Sequence, residues 1–412
     1  MVGVWDPLEL PDSIVSKRFY VCIRNTANGR QVTKLPRGDT ELSCSLLSLL
    51  KERKVFEEYA DILTSVKLDP WLRDHCVAVS RIKPDGGYTS EYVEGMNLAQ
   101  LRDELLKSEA LPGRFRRPLT DAIKRLLGDL TGYYSEHRKL IGDWFMHNLI
   151  FSPERQSIIN VDTEGFFSYK NDSAEAYLPC IEANLLALTE LITLMDSSSQ
   201  DGAKILDVFS AVDKVRRSGK QYSGTSFVAG YHSLELYGKR FRGQRDCPAR
   251  LAQVPFDFRD RVVLDLGCNV GGMLHSLSKV ISTGYGIDAN PDCISAAELI
   301  KHVNNSSNLE FSVFDLDRQS LSELGRYFER KEIDICFFLS MCKWLEHWQE
   351  VVCQASQLAR VMLFESNGTT QEQEEQIALV RRCFKKVDLI CEKSDDDFVR
   401  RDRKLFLCTQ DA

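Results

Sequence analysis

The 412-residue chain is 43% hydrophobic and 27% charged, with a formal net charge of −7. That length exceeds one ordinary core and predicts two domains, while the acidic balance argues against a general nucleic-acid binder. No apolar run approaches the roughly 18 residues of a membrane span, and the start "MVGVWDPLELPDSIVSKRF" lacks the basic-then-apolar order of a secretory signal.

In chain order, "RFYVCIR" and "QVTKL" read as a hairpin whose turn is "NTANG". A helical pattern follows over about Thr40–Asp61, then a strand leading into "YTSEYVEGMNL". Helices are predicted over about Asn97–Leu106 and Arg117–Glu136, and again over Ala174–Leu194 and Gly202–Arg217. "RRSGKQYSGTS" has the composition of a linker, so the boundary is drawn between residues 1–217 and 218–412. From Val262 onward "RVVLDLG", "GYGIDAN", "LEFSVFD", "IDICFFLS", "RVMLFES", "KKVDLIC" and "KLFLCT" read as seven strands. Helical stretches separate the early ones, which predicts a mostly parallel α/β sheet with both faces covered. The last two are joined by a charged loop that suits an antiparallel pair. The 13 cysteines are scattered, form no CxxC pair and sit partly inside apolar runs. They read as small buried apolar groups in a reducing, cytoplasmic setting, and zinc is not expected.

A strand running straight into "GCNVGG" and a helix is a nucleotide-cofactor turn. Its glycines let the backbone approach a ligand, and the helix N-terminus favours a negative group. Asp288 ends the next strand, 21 positions after Gly267, where a carboxylate can accept both ribose hydroxyl protons. Asp315 ends the strand after that, near an adenine amino group. A dehydrogenase would normally show G-x-G-x-x-G instead. The order "VVLDLGCNVGG … GYGIDAN … VFDLD" resembles class I S-adenosylmethionine-dependent methyltransferases over about residues 220–412. That resemblance implies a Rossmann-like seven-stranded fold. It also implies that Asp265, Gly267, Cys268, Asn269 and Gly271 hold the amino-acid end of the cofactor, Asp288 and Ala289 its ribose, and Asp315 and Leu316 its adenine. Upstream, "GKRFRGQR" offers Arg240, Arg242 and Arg245, of which Arg245 is the candidate clamp for the cofactor carboxylate. On the acceptor side stand Ser340, Lys343, His347, Glu365 and Asn367. A hydroxyl acceptor would need a base such as His347, His232 or Glu365, whereas an anionic phosphate would need only positive groups such as Lys343.

In the first half, "IGDWFMHNLIF" sets Asp143 five residues before Asn148, and "VDTEG" sets Asp162 fourteen beyond it. Phosphoryl transfer asks for a carboxylate at the attacking hydroxyl and two oxygen ligands for Mg²⁺. The spacing resembles the catalytic and metal loops of protein-kinase-like folds over about residues 15–215. The resemblance implies a bilobal α+β domain, with Asp143 catalytic, Asn148 and Asp162 on Mg²⁺, and Lys34 on the phosphates of ATP beside Glu41. It puts the backbone around Glu91 to Val93 against adenine. The sequence departs from the pattern in having no glycine-rich loop before Lys34 and Ile141 where many relatives carry histidine.

The pairing resembles bifunctional kinase–methyltransferase terminators of O-antigen chains, with the domain order reversed and without their long heptad tail. It implies phosphorylation of a carbohydrate or small-molecule acceptor followed by methylation of the phosphate or a nearby group. Two alternatives stand beside it. One is an O-methyltransferase of a sugar, small molecule or RNA with an inert kinase-like domain, and the other a non-enzymatic sensor of S-adenosylmethionine. The oligomeric state is left open.

Overall fold

The computed structural model describes residues 13–15, 19–27, 29–36, 51, 53–107, 113–138, 140, 143–162, 178–196, 200–218, 227–328, 332–394 and 402–410. Two compact units emerge: 1–105 with 109–192, and 106–108 with 193–412. No helix among the described residues is long and apolar enough to cross a membrane.

The first unit opens on an antiparallel sheet of order β1-β2-β3-β5-β4. Its strands are β1 (Ser13–Val15), β2 (Phe19–Thr26), β3 (Gly29–Pro36), β4 (Val79–Ile82) and β5 (Tyr88–Glu91). The expected hairpin is β2–β3, in register from Phe19↔Pro36 to Thr26↔Gly29. Helix α1 (Arg53–Ser65) follows; the earlier part of the expected helix, with Glu41, lies outside the described residues. Next come β6 (Met96–Asn97), α2 (Leu98–Leu106) and α3 (Gly113–His137). Leu119, Ala122, Ile123, Leu126 and Leu130 recur along α3 at three- and four-residue spacing, giving it one fully buried face. A tight β7 (Leu149–Ser152) and β8 (Ser157–Asn160) hairpin pairs with β6, and α4 (Leu178–Asp196) follows.

Helix α5 (Gln200–Ser218), on the N-terminal side of the expected boundary, groups with the second unit. There Lys214 pairs with Asp292 at 2.7 Å. The expected linker at 216–226 begins inside this helix, which runs to Ser218, and its remainder at 219–226 lies outside the described residues. A small hairpin, β9 (Leu234–Leu236) and β10 (Lys239–Phe241), and the short helix α6 (Cys247–Leu251) precede the sheet. The seven expected strands are all present: β11 (Val262–Leu266), β12 (Thr283–Asp288), β13 (Leu309–Val313), β14 (Ile333–Leu339), β15 (Ala359–Glu365), β16 (Lys386–Cys391) and β17 (Leu405–Thr409). They form one mixed sheet of order β13-β12-β11-β14-β15-β17-β16. All pairs are parallel except those made by β17, which runs antiparallel to both β15 and β16.

Alternation along the strands fills two cores. Leu264, Cys336, Phe338, Met362 and Phe364 face one side, under Val352 and Ala355 of α9 (Trp348–Leu358) and Val380 of α10 (Thr370–Cys383). Val263, Ile335, Phe337 and Leu363 face the other, with Met273 and Leu274 of α7 (Gly272–Leu277). The α8 helix (Pro291–Asn304) connects β12 to β13. Strand order reverses between β11 and β14, and in open parallel sheets the crevice at that reversal is where ligands bind.

Candidate functional site

The turn after β11 is built by its backbone. The amides of Gly267 and Cys268 both donate to the Ile287 carbonyl, each at 2.9 Å, which seats the turn on the end of β12. Gly267 (φ 76°), Asn269 (φ 52°) and Gly271 (φ 73°) all take left-handed backbone. A Cβ at Gly271 would also lie 2.6 Å from the Phe311 ring. Gly271→Ala is therefore expected to cost about 2 kcal/mol or more, from backbone strain plus overlap; chemical denaturation reads this directly.

Asp288, at the end of β12, braces the turn. Its Oδ2 accepts the Asn269 amide at 2.9 Å and its Oδ1 the Asn290 amide at 2.9 Å. Both oxygens are thereby oriented, and each keeps lone pairs for a ligand. Burial raises the proton affinity of this carboxyl, against the two amide bonds. A cavity of about 330 Å³ opens beside it, walled by His232, Arg250, Asp265, Gly267, Asn269 and Asp288 among others.

Asp265, buried at the cavity wall, is pushed up to about 7, chiefly by burial and further by Asp288, against the pull of Arg250. His232 is pushed down to about 3 by burial and by the charges of Arg245 and Arg250, so its ring stays neutral. The cavity thus carries acidic groups at the glycine turn and a guanidinium at Arg250, an arrangement that suits a ligand bearing both a cation and an anion.

Several expected residues stand elsewhere. Arg245 does not wall the cavity: its Nη2 holds both oxygens of Glu365, at 2.8 and 2.7 Å, in a fully buried pair. The arginine at the wall is Arg250, 2.6 Å from the same carboxylate. Glu365 also accepts from Ser340. Its carboxyl is held down to about 2 by Arg245, Arg250 and these hydrogen bonds, overriding its burial. Glu365 is therefore held between the two arginines and does not itself wall the cavity. Lys343 and His347 are exposed and absent from the cavity wall. They lie just ahead of α9, where the Lys343 amide donates to Asn367 and the His347 amide to Asp317. Asp315 accepts the Asp317 amide and pairs with Arg318 at 3.3 Å, Leu316 belongs to the core, and Ala289 is exposed. None of the three walls the cavity, whereas Asn290, Met341 and Trp344 do. These and Arg250 are among the wall residues that the sequence did not single out. Only Asn290, two residues past Asp288, carried a local signal.

In the first unit, Lys34 is buried on β3 with its Nζ 3.3 Å from Asp162 Oδ1 and 5.4 Å from the centre of the Tyr88 ring. Asp143 and Asp162 lie close enough for the charge of Asp162 to add to burial in raising the Asp143 carboxyl. Asn148, at the end of a 3₁₀ turn (Met146–Asn148), donates its side-chain amide to the Asp143 carbonyl at 3.3 Å. Asn160 was not foreseen. It is wholly buried, donates to the same carbonyl at 3.1 Å, and accepts the Asp162 amide at 2.8 Å. Buried His75 is a second omission; its ring joins Asp129 on α3 to the Ile158 carbonyl on β8, both at 2.8 Å. The Glu91 side chain pairs with Arg155 at 2.8 Å and accepts the Ala78 amide, while Val93 is buried in a small apolar cluster. The rest of "VDTEG" beyond Asp162 lies outside the described residues.

Residues 238–399 match the family model of a methyltransferase domain, so the C-terminal half carries one. Similar solved structures include the N-terminal domain of EvdMO1 with SAH bound, at 11% identity and TM-score 0.36, covering 48% of this chain and 95% of that one. Another is WbdD, a bifunctional kinase–methyltransferase, at 20% identity and TM-score 0.33. That match covers 41% of this chain and only 40% of the WbdD chain. A third is a precorrin-6y C5,15-methyltransferase from Geobacter metallireducens, at 11% identity and TM-score 0.31, covering 40% of this chain and 87% of that one. No curated protein matches.

Proposed function

We propose that the chain is a bifunctional transferase that phosphorylates a hydroxyl at the Lys34–Asp143–Asp162 cluster and then methylates the product with S-adenosylmethionine in the cavity of the second unit. The observation that carries the methyl-transfer half is the Asp288 carboxylate, fixed by two amides at the cavity rim. S-adenosylmethionine, when bound, supplies an electrophilic methyl group. Asp288 would accept the ribose hydroxyls, Asp265 would face the α-ammonium group, and Arg250 the carboxylate.

This assignment has a pH signature. Below about 7 Asp265 holds a proton, which must leave before the carboxylate can face an ammonium group. Affinity for S-adenosylhomocysteine should therefore rise about tenfold from pH 6 to pH 8 and flatten above that. In the ligand-free protein the sign is opposite: a folded-state value raised above the ordinary carboxylate range makes stability fall as pH climbs toward 7. The thermal shift given by the ligand should accordingly be larger at pH 8 than at pH 6.

The walls also bear on the acceptor. Of the acid–base candidates around the cavity, His232 at about 3 and Glu365 at about 2 hold protons too weakly to deprotonate a hydroxyl near neutral pH, and Asp265 and Asp288 are assigned to the cofactor. An acceptor that is already anionic needs no base. That supports methylation of a phosphate.

In the first unit, Asp143 would take the hydroxyl proton and Lys34 would hold the phosphates of ATP. Among the described residues no three His, Cys, Asp or Glu side chains converge on a metal position. Asp162 and Asn148 fit Mg²⁺, which takes few protein ligands and fills its sphere with phosphate and water. Mg²⁺, when bound, neutralises charge on the transferring phosphate. The carbohydrate acceptor rests on the likeness of the paired motifs to O-antigen terminators. The eleven free cysteines among the described residues favour a cytoplasmic setting.

The test is methyl incorporation from labelled S-adenosylmethionine into candidate glycans, with and without ATP–Mg²⁺. Incorporation that depends on ATP is expected. Equal incorporation without ATP would overturn the sequential scheme and leave a methyltransferase alone.

A further inference from the structure

We propose that Cys353 and Cys383 are a dithiol modification site, oxidised by low-molecular-weight disulfides to an intramolecular bond between α9 and α10. Their Sγ atoms lie 3.8 Å apart, in van der Waals contact, although the residues are 30 positions apart in sequence. A disulfide needs about 2.05 Å between sulfurs, a closure that rotation of two side chains can supply. The helices themselves are already tied. Gln410 Nε2 donates to the Ser356 carbonyl on α9 and to the Cys383 carbonyl at the end of α10, both at 3.0 Å.

Accessibility and proximity together single this pair out. Of the eleven free cysteines described, eight are buried; only Cys353, Cys383 and Cys391 are partly exposed. Burial drives the thiol of Cys76 up to about 12, and those of Cys336 and Cys408 higher still, so these stay protonated and unreactive. At Cys383 burial and the neighbouring thiol also raise the proton affinity, but Ser356 and Arg382 oppose them. The net effect leaves the Cys383 thiol above its ordinary value, so exchange calls for alkaline solution.

The chemistry is two exchanges. One thiolate attacks the reagent disulfide, forms a mixed disulfide and expels one thiolate. The second cysteine, deprotonated, attacks the protein-side sulfur and expels the other. Two protein thiols lose two protons and two electrons, and one reagent disulfide becomes two thiols. The bond closes a loop that contains β15 and the segment leading to α10.

The full chain is incubated with oxidised glutathione at about pH 8.5, near the thiol's ordinary value, then alkylated and digested. The expected product is a peptide pair joined through Cys353 and Cys383 with no retained glutathione, and a melting temperature raised by roughly 5–10 °C. Cys353→Ser should instead trap glutathione on Cys383 and show no such rise. Recovery of both residues as free thiols in the wild-type protein, or as stable glutathione adducts, would overturn the proposal. So would the same thermal gain in the Cys353→Ser/Cys383→Ser variant. Peptide mapping of the wild type decides the matter even where a variant folds poorly.

Discussion

Asp288→Ala is expected to weaken S-adenosylhomocysteine binding by about two to four orders of magnitude. The wild-type carboxylate would make two charge-assisted hydrogen bonds to the ribose, each contributing about 1.5–3 kcal/mol, and 1.4 kcal/mol corresponds to tenfold in affinity. The same residue accepts the Asn269 and Asn290 amides, so the alanine variant also loosens the turn. Asp288→Asn separates the two effects. Its side-chain oxygen still accepts one amide, so the fold should melt within a few degrees of wild type, while affinity falls about tenfold or more through loss of the charge. Calorimetry on both variants, with thermal melts alongside, checks the pair. Affinity within threefold of wild type in both would remove Asp288 from the site.

Asp143→Ala is expected to lower ATP-dependent phosphorylation of the acceptor by about 10³-fold, the range of a lost general base. Asp143 is buried, close to Asp162, and its backbone carbonyl is held by Asn148 and Asn160. The substitution therefore removes a side chain without removing the backbone contacts that fix the loop. If the product is the substrate of the second reaction, methylation of the unphosphorylated acceptor should fall with it. Methylation of a chemically phosphorylated acceptor, and affinity for S-adenosylhomocysteine, should stay as in wild type. Methylation of the plain acceptor at the wild-type rate would show that the two reactions are independent.

The α/β half was legible because its central strands are short apolar runs buried on both faces, and because the glycine turn and Asp288 are tied by local geometry. The Ile287 carbonyl that receives two turn amides is the residue just before Asp288, so motif spacing and structure express one constraint. The acceptor side was not legible. The pairing of Arg245 with Glu365 joins residues 120 apart, and no local pattern tells which of Arg245 and Arg250 reaches the cavity. A basic segment was read ahead of the sheet where the chain forms the β9–β10 hairpin, with Tyr237 and Gly238 both at positive φ. That turn lacks the Asn-Gly or Asp-Gly pair that marks most such hairpins. In the first unit the order of lysine, aspartate, asparagine and aspartate singled out four residues that the fold gathers. Asn160 escaped notice although it stands two positions before Asp162, because its role is to hold backbone at a distance in sequence.

Titration of the full chain with S-adenosylhomocysteine by calorimetry, at pH 8, tests the assignment of the second unit's cavity most directly. One site per chain is predicted, with affinity that falls as pH drops below 7 and that largely disappears in Asp288→Ala. Absence of binding heat at any pH, from protein that melts cooperatively, would contradict it.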